Sequence, residues 1–148
     1  MHHPHEDKLP AFPRTPHLPH QPNADATDVI ASAKEASTIF GAMVNIEEKI
    51  DGASVGLTIV DKHPVLRNRD HILNKGFMRK KDDTTAKRQF RPFWNWFYEN
   101  EKQVQKICNQ GTYSIYGEWM YAAHGIHYTT LPDRFIAYDI YDWDRGFF

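Results

Sequence analysis

Lys49 has the most reactive setting in this sequence, because of the residues around it. It stands in Glu48-Lys49-Ile50-Asp51-Gly52, with Glu47 immediately before. A lysine attacks as a nucleophile only when its amine is deprotonated, through desolvation or a neighbouring cation. Acids beside it normally act the other way, keeping an ammonium charged and paired. Taken alone, the cluster reads as a surface ion pair near a turn. A divalent cation with the phosphates of a bound nucleotide reverses that reading: it supplies a cationic field, and the acids become metal or ribose partners. Gly52 suits a tight turn in which backbone approaches a ligand.

Other reactive side chains are weaker candidates. Cys108 is the lone cysteine and follows Val104 and Ile107 on a helical pattern, so a packed thiol is expected rather than a nucleophile. Five of the nine histidines (His2, His3, His5, His17 and His20) lie in the first 24 residues without regular ligand spacing. They suit adventitious metal binding better than a structural site. Lys75, Arg79, Lys80 and Lys81, followed by Lys87, Arg88 and Arg91, form a local basic run. Such a run is a solvated surface or a nucleic-acid contact.

The elements that must position these residues follow from periodicity. Residues 1–24 hold Pro4, Pro10, Pro13, Pro16, Pro19 and Pro22, a density that blocks helix and interior strand and predicts an extended arm. A helix is expected over about 25–40, capped by Asp25 or Thr27 and ended by Gly41. Residues 43–47 and 53–60 read as two strands of an antiparallel hairpin with Lys49 to Gly52 near the turn. A short strand at Val65-Leu66-Arg67 interrupts a polar stretch over 61–85. Phe90, Phe93, Trp94, Phe97, Val104 and Ile107 mark the clearest helix, 86–109. Its aromatics suit core packing better than a base-stacking platform. Strands at 112–121 and 134–141 follow, the second after Leu131-Pro132-Asp133. The whole predicts an α+β fold with mainly antiparallel strands: the arm over 1–24, then one domain over 25–148.

Composition narrows the class. An aromatic content of 14% argues against a disordered chain. The net charge of −1 gives no global basic field, so any nucleic-acid contact must be local. One cysteine permits no internal disulfide. No apolar run reaches the ~18 residues of a membrane span, and the N-terminal MHHPHEDK lacks the apolar centre of a secretory signal. The expectation is an intracellular protein, cytoplasmic or nuclear.

The motif around Lys49 resembles motif I (Lys-x-Asp-Gly) of the covalent nucleotidyltransferases, which comprise DNA ligases, RNA ligases and mRNA capping enzymes. Leu66-Arg67-Asn68-Arg69, with Arg67 18 residues after Lys49, resembles motif Ia. Tyr116-Gly117-Glu118-Trp119-Met120, with Glu118 69 residues after Lys49, resembles motif III. Phe135-Ile136-Ala137-Tyr138-Asp139-Ile140 resembles motif IIIa. Pro13-Arg14-Thr15-Pro16-His17-Leu18-Pro19, the stretch from Gly117 through Ile126, and Tyr128 with Leu131 to Phe135 are similar to ATP-dependent RNA ligases in particular. The resemblance covers about residues 10–148. It implies an α+β, ATP-grasp-like ligase nucleotidyltransferase domain of mainly antiparallel sheets with packed helices, partial in this chain.

The resemblance also implies roles. Lys49 would attack the α-phosphorus of ATP and become lysyl-AMP. AMP would pass to an RNA 5′-phosphate, and a 3′-hydroxyl would displace it to seal the strand, with Mg²⁺ as the metal. Arg67 or Arg69 would hold the ribose or phosphate, Glu118 the ribose or the metal. Tyr138, or Phe135 on the opposite side of the strand, would stack on adenine. Backbone near Glu48, with Ile50, Asp51 and Gly52, would line the ATP site. The family's motif IV (Glu-Gly-x-Val) and motif V (Lys-x-Lys) do not occur before Phe148. The chain therefore reads as a truncated form, expected to bind ATP weakly and self-adenylylate poorly, because motif V charges would stabilise the phosphate as Lys49 attacks. The alternatives are a non-catalytic RNA-binding module derived from such a ligase, and a DNA ligase or capping-type nucleotidyltransferase.

Overall fold

The computed structural model describes residues 9–20, 22, 24, 26, 28–74, 84–108 and 111–146. The chain divides into two compact units: residues Met1–Phe12 with Ile50–Phe148, and residues Pro13–Lys49.

The larger unit is built on a four-stranded antiparallel sheet in the order β2-β1-β3-β4. The strands are β1 (Ala53–Val60), β2 (His63–Asn68), β3 (Tyr113–Trp119) and β4 (Phe135–Asp142). The fold is α+β, as the strand and helix patterns predict. β1 occupies the predicted span, and β3 and β4 agree within two residues at each end.

The predicted hairpin partner of β1 is a correction. Residues 43–47 form no strand, and β1 turns instead into β2 through Asp61 and Lys62. Both turn residues have positive φ, 49° and 66°, the backbone that a two-residue hairpin loop requires. With β2 on one flank and β3 on the other, β1 has no free edge for residues 43–47. Met43 and Ile46 are accordingly exposed.

The long helix expected over 86–109 is two helices, α2 (Thr85–Arg88) and α3 (Arg91–Cys108). Pro92 explains the break. Its ring would clash with the carbonyl of Arg88 in a continuous helix, but the first turn tolerates it. Alternation along β1 aims Ala53, Val55, Leu57 and Ile59 at a core shared with Leu66, Ile115, Trp119 and Phe135. α3 closes that core with Phe93, Phe97, Val104 and Cys108. The Trp119 indole donates to the carbonyl of Gln89 at 2.7 Å, and that of Trp94 to Leu73 at 2.9 Å, tying the helical segment to the sheet unit. The aromatics of α3 are thus mainly core, although Ile107 is exposed. Beside α3, Trp96, Trp119, Asp133 and Arg134 border a cleft of about 640 Å³.

In the smaller unit, α1 (Ala33–Ile39) is shorter than the predicted 25–40. Ser32 and Glu35 form a capping box that starts the helix there. Asp25 and Thr27, the expected caps, lie outside the described residues. Gly41, with φ 97°, follows the helix end, a backbone that favours glycine. His17 pairs with Ile30 in an isolated parallel bridge, and its ring lies 3.6 Å from the Asp28 carboxylate. Among the described residues, no helix is long and apolar enough to cross a membrane.

Candidate nucleotide-binding face

The face of the sheet opposite α3 carries a different set of side chains. Period-two alternation puts Ser54 and Gly56 of β1 on this face. Register aligns Ser54 with Glu118, and Gly56 with both Tyr116 and Arg67. Gly56 has a packing reason. A Cβ there would lie 2.8 Å from the Tyr116 ring, so the missing side chain lets that ring lie against the sheet.

Tyr138 reaches this face through an irregularity. Gly117 pairs with Ala137 and Tyr116 with Asp139, which leaves Tyr138 as the extra residue of a bulge in β4. Bulges re-aim a side chain in this way. The Tyr138 hydroxyl lies 3.2 Å from Ser54 Oγ, within hydrogen-bond distance. Burial raises the Tyr138 pKa, the Ser54 hydrogen bond lowers it, and Glu118 and Asp139 nearby raise it further. Tyr138 is still 42% exposed, while Phe135, three residues earlier, is 8% exposed. Phe135 lies on the other face, with ring centroids 5.8 Å from Phe93 and 4.9 Å from Trp96. Of the two aromatics of motif IIIa, Tyr138 alone is on the open side.

The two arginines also differ. Arg67 spends each of its three nitrogens on a backbone carbonyl: Nε to Asn68 at 3.0 Å, one terminal nitrogen to Leu9 at 2.7 Å, the other to Arg69 at 3.0 Å. Burial lowers its pKa, opposed by the nearby Tyr116 and Asp70. Arg69 is exposed at the end of β2.

Asp51 and Gly52 are built into the loop after β3. The Asp51 N–H donates to the Tyr128 hydroxyl at 3.0 Å, and its carboxylate accepts from the Ile126 N–H at 3.1 Å. Gly52 is required by packing: a Cβ would lie 2.6 Å from Met120 Sδ and 3.0 Å from the Trp119 carbonyl. Close approach to motif III, rather than to a ligand, accounts for this glycine. Glu48 and Lys49 fall in the smaller unit, and Ile50 begins the second segment of the larger one.

A strap of the N-terminal arm, residues 9–12, covers part of the open face. The Tyr116 hydroxyl donates to the Pro10 carbonyl at 2.6 Å. Leu9, 1% exposed, packs with Val65 and Tyr116 in a second apolar cluster. The Phe12 ring lies 5.5 Å from Tyr116 and 5.0 Å from Tyr138, the latter T-shaped at 73°. Sequence reasoning singled out neither Phe12 nor Ser54. It quoted Tyr116 and Tyr128 only as parts of longer phrases, and the hydroxyl partners of both are more than 70 residues away in sequence.

Among the described residues, no group of three or more His, Cys, Asp or Glu side chains is placed to hold a metal. Mg²⁺ needs fewer protein ligands than that, because one or two carboxylates, water and substrate phosphates complete its shell. The donor chemistry of Glu118 fits such a role. Lys75, Arg79, Lys80 and Lys81 of the basic run lie outside the described residues.

Comparison with known families matches residues 43–148 to the RNA ligase family. The chain belongs to the RNA ligase family. The matched region spans all four stretches that resemble the family's motifs, from Lys49 to Tyr138. Membership supports a ligase-type function in general; RNA ligases generally use ATP and a divalent metal and act on RNA. No curated protein and no solved structure matches the chain.

Proposed function

We propose that this RNA ligase family chain binds ATP on the open face of its sheet, and that Lys49 takes up AMP. The observation that carries this reading is the convergence of Ser54, Glu118 and Tyr138 on one face, with Phe135 of the same motif in the core. In the proposed reaction the unprotonated Nζ of Lys49 attacks the α-phosphorus. A P–N bond forms, the bond from the α-phosphorus to the pyrophosphate oxygen breaks, and the nitrogen gives up a proton. The AMP then passes to the 5′-phosphate of an RNA end, and a 3′-hydroxyl displaces it to seal the strand.

Each residue of the face has a part that its surroundings support. The free face of Tyr138 suits stacking on adenine, and such stacking is worth roughly 1–3 kcal/mol per base. Glu118, beside Ser54 in register, suits the ribose or a Mg²⁺ ion. A bound Mg²⁺ would supply positive charge beside the phosphates. Arg69 is the better candidate for a phosphate or ribose contact, because Arg67 is tied to carbonyls of β2 and the strap. Asp51 anchors the residues just after Lys49 to the Tyr128 loop rather than to the nucleotide. In domain terms, residues 25–148 serve as the adenylyltransferase part and 1–24 as an arm.

Incubation with α-labelled and γ-labelled ATP tests the reading. The expected result is a slow covalent label from the α-labelled nucleotide only, mapped to Lys49, absent in Lys49→Ala and reversed by pyrophosphate. ATP binding with no label in the wild type, together with RNA binding unchanged in Lys49→Ala, would establish the binding-module reading instead. Label from GTP in place of ATP would establish a capping-type enzyme.

A further inference from the structure

Tyr138 is held on two sides. Its hydroxyl meets Ser54 Oγ at 3.2 Å, and its ring meets Phe12 at 5.0 Å in a T-shaped contact. A T-shaped pair involves at most one face of each ring, so one face of Tyr138 stays clear of Phe12. Its 42% exposure agrees with that. Phe12 is itself fixed by the strap. Leu9 is buried in the second cluster, its carbonyl accepts from Arg67 at 2.7 Å, and the Pro10 carbonyl accepts from Tyr116 at 2.6 Å. Pro10 and Pro13 fix backbone on both sides of Phe12, and a residue before proline is confined to extended geometry. Leu9, Pro10 and Phe12 lie within the same compact unit as the sheet. Without Phe12, the exposed Tyr138 on its bulge would sample several rotamers, and a base would have to order it on binding.

We propose that Phe12 is a positioning residue for the nucleotide site: it holds the Tyr138 ring at the angle that receives adenine, so that the N-terminal strap forms a wall of the ATP site. This rests on the reading of Tyr138 as the adenine platform. It extends that site to a residue that lies ahead of all four motifs. It also gives the proline-flanked sequence at 10–13 a purpose, since rigid backbone delivers Phe12 to a fixed place.

The test is the dissociation constant for ATP, measured calorimetrically on the full 148-residue chain. Tyr138→Ala is expected to weaken ATP about tenfold or more, a typical loss for a stacked base. Phe12→Ala and Phe12→Leu are expected to weaken it about fivefold, the leucine variant keeping apolar contact with Tyr116. Phe12→Tyr restores binding to within about twofold. Phe12→Ala with Tyr138→Ala binds no worse than Tyr138→Ala alone, because both act through one ring. If Phe12→Ala fails to fold, the Leu and Tyr variants decide. A Tyr138→Ala loss with wild-type affinity in Phe12→Leu, or losses that multiply in the double variant, would overturn the role of Phe12 and leave the platform standing. Undetectable ATP binding by the wild type, or unchanged binding in Tyr138→Ala, would overturn the platform and this inference with it.

Discussion

The two faces of the sheet come from the same four strands and are closed by different means. On one, α3 and the sheet interleave aromatic and aliphatic side chains, with Trp119, Phe93 and Phe97 fully buried. On the other, the strap seals one region around Leu9 and Tyr116, while Tyr138 keeps 42% of its surface. The first face holds the fold together. The second has polar groups beside a partly free aromatic ring, a composition suited to a ligand with both a flat base and charged oxygens. Removing side chains from the two faces should therefore give different losses: stability from one, binding from the other.

The largest effect belongs to the helix side. Trp119→Ala should cost about 3–5 kcal/mol, because it removes a buried indole and leaves the Gln89 carbonyl without its donor. Denaturant unfolding would measure it, and a loss below about 1 kcal/mol would mean this face is not the core. The sharpest contrast comes from two residues of one motif. Phe135→Ala should lose about 3 kcal/mol of stability. Tyr138→Ala should lose under about 1 kcal/mol of stability while losing its ATP affinity. Equal stability losses would erase the distinction between the faces.

Cys108 tests the dryness of the core by pH. Burial pushes its thiol up to about 11 from 9.0, with hydrogen bonds involving Thr58 and Ile59 opposing. The folded state thus holds the proton more tightly than the unfolded chain. That stability is fully present below pH 9 and is lost as pH rises from about 9 to 11, by at most roughly 3 kcal/mol. Cys108→Ala should flatten that part of the profile, and a thiol reagent should leave the native protein unmodified. A similar alkaline slope in both proteins would contradict this account. The smallest effect concerns the loop over Asp51. Tyr128→Phe removes the acceptor for the Asp51 N–H and should cost about 1 kcal/mol. Amide exchange at Asp51 should speed up in the variant while exchange in β1 stays as it was.

Much of the helix-covered face was legible in the sequence. The apolar runs that mark β1 and α3 are set by local periodicity; β1 appears where that pattern puts it, and the helix expected over 86–109 is present but broken ahead of α3 by Pro92. What misled was competition. Residues 43–47 have strand-like composition, but the Asp61-Lys62 turn gave β1 its hairpin partner, and β3 took the other edge. The start of α1 turned on which of several capping residues wins, and the Ser32–Glu35 pair does. On the open face, the motifs gave Glu118 and Tyr138 in order. The bulge that turns Tyr138 toward Ser54 has no local signal, since it depends on pairing with β3. The strap was harder still. A proline-rich arm has no period to read, and Phe12 meets its partners across more than 100 residues of chain.

The central claim is that adenine nucleotide binds the strap side of the sheet and not the α3 side. Photocrosslinking with 8-azido-ATP, followed by mass-spectrometric mapping, tests it most directly. The predicted adducts fall on Tyr138 and its neighbours Phe12 and Ser54, and unmodified ATP competes them away. Competable adducts confined to Trp96, Trp119, Asp133 and Arg134, around the cleft beside α3, would contradict the claim.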